Sequence, residues 1–190
     1  RNVIHIFFYF CMSNVMECWE EISREEIFRK FGRGVERRVY RLPDGREGEF
    51  YLRTGHSSVA CLALTKEKQV ILARQFRPGP AKILLEMPGG GMEANETKEE
   101  AIARELLEET GYRGSVQFVT ELLPDAYSTY TKNFFVVTDC EKIGEPQSED
   151  NGEEVEVVLL RLEQFRQHIR TGQMTDIEGA YLCLDYLELL

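Results

Sequence analysis

The sequence predicts an α/β protein of the mixed (α+β) kind, in which a mixed β-sheet packs between helices. Predicted strands outnumber predicted helices, and the helices fall in the middle and at the end of the chain. That order favours a mixed sheet over a doubly wound parallel sheet. The 190 residues are 43% apolar and 29% charged, as in an ordinary globular protein with a sizeable core.

The N-terminal part of the sequence predicts a helix followed by a β-hairpin. Apolar residues recur at helical spacing over residues 19–31, and Gly32 follows as a stop. These apolar residues are Trp19, Ile22, Ile27, Phe28 and Phe31. Residues 35–53 predict a hairpin that turns at Asp44-Gly45. We therefore divide the chain into an extension, residues 1–55, and a main domain, residues 56–190, and expect residues 1–11 to be a cloning or start-site artefact.

The main domain is predicted to contain several strands around one strongly marked helix. A Gly-rich break at 87–91 precedes this helix, which begins with a capping box formed by Thr97 and Glu100 and stops at Gly111. Strands are expected near 58–64, 69–76, 115–122, 132–138 and 154–160, and two further helices near 162–170 and 176–189.

Charge and cysteine content restrict the possible partners and the compartment. The net charge of −10, without a long basic stripe, argues against nucleic-acid binding. The apolar run at the N-terminus is too short to span a bilayer, so no membrane partner is expected. The five cysteines form no CxxC pair, which favours reduced thiols and a cytoplasmic location. An acidic protein can still bind a phosphorylated small molecule through a divalent cation.

The central helix carries an acidic stripe beside an apolar one. Glu105, Glu108 and Glu109 fall within roughly a third of the helix circumference. The neighbouring apolar stripe, which includes Ile102 and Leu106, would dock on the sheet and leave the carboxylates at the edge of a cleft. Hard oxygen ligands on one rigid face suit Mg²⁺. A solvated acidic face is the alternative, but it does not explain the apolar stripe or the glycines at both ends of the helix.

Residues 90–112 resemble the signature of the Nudix hydrolase family. The match runs Gly90, five residues, Glu96, seven residues, then Arg104-Glu-Leu-Leu-Glu-Glu-Thr-Gly-Tyr112. The resemblance implies a Nudix fold and a Mg²⁺ cofactor, with Mn²⁺ as an alternative. It implies that the metal ligands are Glu105, Glu108, Glu109 and the carbonyl of Gly89. Glu96 and Arg104 would orient these carboxylates, and a metal-activated water would attack a diphosphate.

The residues ahead of the signature resemble the ADP-ribose pyrophosphatase branch of the family. Arg74-Gln-Phe-Arg77 is followed by Glu86-Met-Pro-Gly89, where that branch usually has alanine as the last residue. The likeness implies that Arg77 and Arg74 contact substrate phosphate and that Glu86 lies near phosphate or metal. A pair of surface cations on an edge strand is the alternative interpretation of the arginines.

Two further candidates follow from the same likeness. Tyr127 stands where ADP-ribose enzymes tend to have proline, and it could stack on a base or pack in the core. The acidic loop ahead of the strand near 154–160 offers Glu153 as a general base, with Glu154 and Glu149 as close alternatives and a solvated loop as the other interpretation.

The predicted function is Mg²⁺-dependent hydrolysis of the pyrophosphate bond of a nucleoside diphosphate sugar such as ADP-ribose, giving a nucleoside monophosphate and a sugar phosphate. A MutT-like nucleoside triphosphatase and a dinucleoside polyphosphate hydrolase are the enzymatic alternatives. A non-catalytic domain that senses a nucleotide or binds a protein is the alternative of another class. Because relatives use an N-terminal hairpin in dimer formation, the extension also predicts a homodimer.

Overall fold

The computed structural model describes residues 16–147 and 154–190 of the chain. The candidate base Glu153 lies outside these ranges, as does the segment 1–11 that we expect to be an artefact. The elements in chain order are β1 (Glu20–Lys30), β2 (Arg33–Arg41), β3 (Glu47–Thr54), β4 (Ser58–Thr65), β5 (Gln69–Arg77), β6 (Lys82–Glu86), β7 (Gly89–Gly91), α1 (Lys98–Thr110), β8 (Tyr112–Leu122), β9 (Lys132–Lys142), β10 (Glu156–Arg161), α2 (Leu162–Arg170) and α3 (Ile177–Tyr186).

The N-terminal extension is a three-stranded antiparallel sheet, so the helix predicted over residues 19–31 is wrong. This segment is β1, which pairs with β2 along its length, but its register shifts between Glu21 and Ser23 and again between Glu26 and Phe28. Each bulge inserts a residue and breaks the two-residue alternation of a strand. The apolar residues therefore recur at a spacing that resembles a helical period, although they lie on a strand.

The predicted hairpin over residues 35–53 is confirmed as β2 and β3. The two strands pair antiparallel from Gly34 opposite Thr54 to Arg41 opposite Glu47. Gly45 has a φ of 84°, which the turn requires and which glycine adopts without strain. The local sequence therefore determines this turn.

A seven-stranded mixed sheet forms the main part of the molecule. The strand order is β10-β5-β4-β9-β8, with β6 paired to β5 and β7 paired to β4. Strands β4 and β9 run parallel, and the other pairs are antiparallel. The predicted mixed sheet is therefore confirmed.

Helices cover both faces of this sheet, as the sequence predicts. On one face Leu72 and Phe134 pack with Phe165 of α2 and Leu184 of α3. On the other face the buried side chains of α1 pack against the alternate residues of the same strands. This second cluster includes Ile71, Ile102, Leu106 and Phe135. None of the helices in residues 16–147 and 154–190 is both long and apolar enough to cross a membrane.

The close contact between α3 and β9 gives a test of this packing. A Cβ added at Gly179 would lie 2.0 Å from Cε1 of the buried Phe134 ring. We expect Gly179→Ala to lower the free energy of unfolding by about 1–3 kcal/mol. The gain in helix propensity, about 1 kcal/mol, is too small to offset an overlap this severe. Urea titration followed by circular dichroism would measure the change.

Gly144→Ala is the matched control, because a Cβ there meets no atom within 4 Å. Its midpoint should stay close to that of the wild type. Equal midpoints for the two variants would contradict the contact between Gly179 and Phe134.

Candidate active site

Helix α1 begins and ends where its sequence predicts. The backbone N–H of Glu100 donates to Oγ1 of Thr97 at 3.2 Å, and the N–H of Thr97 donates to the Glu100 carboxylate at 2.9 Å. At the other end Gly111 adopts a φ of 74°, and its N–H donates to the carbonyl of Leu107 at 2.8 Å. These caps satisfy backbone groups that would otherwise lack partners. They determine where the helix that carries the acidic stripe begins and ends.

Arg104 donates hydrogen bonds to three of the carboxylates on α1 and in the loop before it. Its guanidinium donates to both oxygens of Glu96, from Nε at 2.8 Å and from Nη2 at 3.0 Å. Its Nη1 donates to Glu105 at 2.9 Å and to Glu108 at 3.0 Å. The hydrogen bond from Arg104 lowers the pKa of Glu96. The structure thus brings together the two residues predicted to orient the site and two of the predicted ligands.

The glycine-rich loop lies directly against the buried carboxylate of Glu105. A Cβ at Gly90 would fall 2.4–2.5 Å from the oxygens of that carboxylate. At Gly89 a Cβ would lie 2.2 Å from the carbonyl oxygen of Val59 in β4. Strand β7 therefore fits between β4 and α1 only because Gly89 and Gly90 lack side chains. The glycine at position 89 matches this close approach.

Glu109 carries a charge that the fold disfavours. Burial, followed by the negative charge of Glu105, raises the pKa of Glu109 to about 7, although hydrogen bonds from Gly89 and Gln75 act in the opposite direction. The Gly89 N–H donates to its carboxylate at 2.9 Å, and Nε2 of Gln75 donates at 3.3 Å. The positive charge of Arg77 also lowers this pKa. Two neighbouring carboxylates thus lie where a bound cation would relieve their repulsion.

The predicted ligands do not converge on one point in this structure. Across residues 16–147 and 154–190, no three His, Cys, Asp or Glu side chains form a group able to hold a metal ion. The reason is that Arg104 engages Glu105 and Glu108, whereas Glu109 accepts from the Gly89 N–H. The chemistry of the donor set still fits a divalent cation, since these are hard oxygen ligands and the negative charge of Glu105 still helps to raise the pKa of Glu109. A cation would compete with Arg104 for two of them.

Arg77 and Glu86 form a partly buried ion pair next to the glycine loop. Nε of Arg77 donates to Oε2 of Glu86. The other oxygen accepts from the N–H of Thr175 at 3.2 Å and from its Oγ1 at 2.5 Å. Glu86 is only 2% exposed, so its carboxylate is committed to protein partners. Glu86 therefore holds Arg77 in place, and the Arg77 side chain is about one third exposed.

A cleft of about 770 Å³ lies between the N-terminal sheet and the central sheet. The N-terminal sheet and the residues that follow it contribute Arg33, Arg53 and His56. The central sheet contributes Arg77 and the glycine loop 89–91. Arg53 pairs with Asp125 and Arg77 with Glu86, but both guanidinium groups are partly exposed, so together with Arg33 they offer donors to an anionic ligand.

Some predicted substrate contacts lie elsewhere. Arg74 pairs with Glu156 at 3.2 Å and lines a neighbouring cleft of about 840 Å³. Tyr127 is 54% exposed in the loop before β9 and is not among the residues that line either cleft. Tyr130 lines the 770 Å³ cleft instead. The roles proposed for Arg74 and Tyr127 therefore remain predictions.

Sequence reasoning missed several residues of the site. Gln75, which donates to Glu109, is one of them. Its position could have been inferred, because residues two apart on a strand share a face and Gln75 lies two residues before Arg77. Arg33, Arg53 and Asp176 carried no comparable signal, because only the packing of distant segments brings them to the cleft.

The raised pKa of Glu109 predicts how the metal-free protein responds to pH. Burial favours the protonated carboxyl, so the associated stability is fully present below the ordinary pKa of 4.5 and is lost as the pH rises through about 7. Glu109→Gln keeps an acceptor for Gly89 without the charge. At pH 8 in chelator, we expect it to exceed the wild type in unfolding free energy by at most about 3 kcal/mol. Denaturant titrations at pH 4 and pH 8 would measure this, and an equal difference at both values would contradict it.

The chain is similar to several known proteins. The NUDIX domain profile matches residues 54–177. The ADP-ribose pyrophosphatase of Bacillus subtilis (strain 168) is 28% identical over 172 residues, covering 88% of this chain and 91% of that protein. The methanol dehydrogenase activator of Bacillus methanolicus is 27% identical over 175 residues, with the same two coverages of 88% and 91%. The ADP-sugar pyrophosphatase of Mus musculus is 53% identical over 47 residues, 25% of this chain and 22% of that protein.

A solved structure supports the same fold. The crystal structure of an ADP compounds hydrolase superposes with a TM-score of 0.78 at 19% sequence identity, covering 93% of this chain and 97% of that chain. The domain profile spans β4 to the start of α3 and includes the whole of α1 with its glutamates. The chain belongs to the NUDIX domain family.

Proposed function

We propose that the chain hydrolyses the pyrophosphate bond of a nucleoside diphosphate sugar, with ADP-ribose as the expected substrate. The products would be a nucleoside monophosphate and a sugar phosphate. The observation that carries this proposal is the row of carboxylates on α1, which Arg104 and the glycine loop hold beside a cleft lined by arginines. Relatives named ADP-ribose pyrophosphatase and ADP-sugar pyrophosphatase support the substrate class.

The cofactor we propose is Mg²⁺, with Mn²⁺ as an alternative. Glu105, Glu108 and Glu109, together with the carbonyl of Gly89, would hold it. When bound, a divalent cation supplies an activated water and neutralises charge on the departing phosphate. Arg104, which Glu96 holds in place, keeps Glu105 and Glu108 aligned on one side of the helix.

Arg77 is the residue we propose to bind the diphosphate. Its guanidinium is held by the buried Glu86 and remains partly exposed at the cleft. A planar guanidinium presents parallel donors that match phosphate oxygens. Arg74 and Tyr127 remain secondary candidates for substrate contact, and Glu153 remains the candidate general base.

We also infer a cytoplasmic location and a homodimer. Cys18, Cys61, Cys140 and Cys183 are free thiols, and three of them are buried. Free thiols are typical of a reducing compartment. Strand β1 is exposed along its whole length and forms an edge of the N-terminal sheet. An exposed edge with apolar side chains is a surface that a second copy can cover.

Turnover with identified products tests the proposed activity. We expect ADP-ribose and Mg²⁺ to give AMP and ribose 5-phosphate. Glu105→Gln should lower kcat by roughly two or more orders of magnitude, because a charged ligand is lost while the side-chain volume stays the same. Chromatography of the products against a panel of other nucleotide sugars, diadenosine polyphosphates and nucleoside triphosphates would measure both.

Glu99→Gln is the control, since this exposed glutamate lies in the first turn of the same helix. It should retain wild-type kcat. Pyrophosphate release from triphosphates at a higher kcat/KM than ADP-ribose cleavage would instead support the triphosphatase. Wild-type rates in Glu105→Gln would remove the assignment of the helix.

Light scattering at micromolar concentration tests the homodimer. The expected mass is twice the 22.0 kDa of one chain. Ile27→Asp should give a monomer, because Ile27 is 49% exposed on β1 and a buried charge there would lack a partner. Ile143→Asp changes an equally apolar residue, 56% exposed beyond β9, and should remain a dimer. A monomeric wild type would refute the proposal.

A further inference from the structure

Asp176 is an acidic side chain that lines a cleft otherwise rich in arginine. It precedes α3 and contributes to the same 770 Å³ cleft as Arg33, Arg53 and Arg77. The residue is half-buried, and the assignment of carboxylates on α1 does not involve it. A carboxylate repels phosphate, so we do not expect Asp176 to contact the diphosphate itself.

The orientation of Asp176 differs from that expected for its position. It occupies the N-cap of α3, where aspartate normally accepts a hydrogen bond from the first turn. Here the side chain makes no capping hydrogen bond. Instead Nζ of Lys132 donates to Oδ1 at 2.6 Å. Within the two described ranges, no donor contacts Oδ2. One oxygen is therefore fixed by a cation while the other remains available.

The position of Asp176 relative to the proposed diphosphate site is fixed by a short chain of contacts. Glu86 accepts from Arg77 on one oxygen and from Thr175 on the other. Thr175 is the residue immediately before Asp176. Helix α3 is in turn seated against β9, where Gly179 leaves no free space beside Phe134. A ligand whose diphosphate contacts Arg77 would thus have its adjacent group near Asp176.

The group next to the diphosphate of a nucleotide sugar is a ribose or another sugar, which carries hydroxyl donors. A carboxylate oxygen accepts strongly from a hydroxyl, and the O–H···O⁻ bond is among the stronger hydrogen bonds in proteins. We propose that Asp176 determines specificity by accepting a hydrogen bond from a ribose hydroxyl beside the diphosphate. This inference rests on the proposed function. It adds that the cleft selects for a hydroxylated sugar.

Asp176→Asn is the informative variant. The carbonyl oxygen of asparagine can still accept from Lys132, whereas an amide donor takes the place of Oδ2. For ADP-ribose we expect kcat/KM to fall roughly ten- to hundredfold, as for the loss of one charged hydrogen bond. Two analogues locate the hydroxyl: the methyl ester of ADP lacks the terminal ribose, and 2′,3′-dideoxyadenosine diphosphate ribose lacks the hydroxyls of the nucleoside ribose.

The effect of the variant should disappear with one of these analogues. If wild type and variant cleave the methyl ester equally well, the terminal ribose is the partner. If they cleave the dideoxy compound equally well, the nucleoside ribose is the partner. Both results support the proposal, because a purely structural role of Asp176 would affect all three compounds alike.

Glu178→Gln is the matched control. Glu178 lies 3.6 Å from the same lysine nitrogen but does not line the cleft. It should leave kcat/KM unchanged for every compound. Thermal melting of each variant reports its folding, and Asp176→Ser, a residue favoured at the N-cap, replaces asparagine if that variant does not fold.

The results that overturn the inference are distinct from failure of the proposed function. An unchanged kcat/KM for ADP-ribose in Asp176→Asn, or an equal loss for all three compounds, overturns the role of Asp176 while the wild type remains active. A wild type that cleaves none of the three removes the proposed function and this inference with it.

Discussion

The contact of Arg104 with three glutamates is the interaction on which the candidate site depends. Three like charges at positions 105, 108 and 109 of one helix repel each other and weaken it. A single guanidinium compensates two of them and ties Glu96, from the loop ahead of the helix, to the same point. The helix and its entry loop therefore behave as one unit. Docking of that unit by Ile102 and Leu106 places it against the sheet.

The third glutamate depends on the sheet rather than on Arg104. Glu109 receives its hydrogen bonds from Gly89 in β7 and from Gln75 in β5. Gln75 continues the face of β5 that carries Ile71, the face covered by α1. Within the acidic stripe, Glu105 and Glu108 therefore contact an arginine, whereas Glu109 contacts a backbone N–H of β7 and a side-chain amide of β5. A cation in this place would join them.

The local features of the site could be predicted from sequence, whereas the tertiary ones could not. The capping box at Thr97 and the stop at Gly111 depend on neighbours a few residues away, and both are confirmed. The N-terminal helix was predicted wrongly, because bulges near Ile22 and Ile27 change the period of a strand whose pairing partner is distant. Arg74 and Arg77 look equivalent in sequence, but they lie three residues apart on a strand and so face opposite sides. Asp176 reaches the cleft only through the packing of α3.

The bare backbone of Gly89 restricts how this protein can vary. Its Cα lies so close to Val59 and Ala60 that a methyl group at position 89 would push β7 away from β4. The N–H that Glu109 accepts from would move with it. Substitution of Gly89 by any residue with a side chain therefore requires β4 to move.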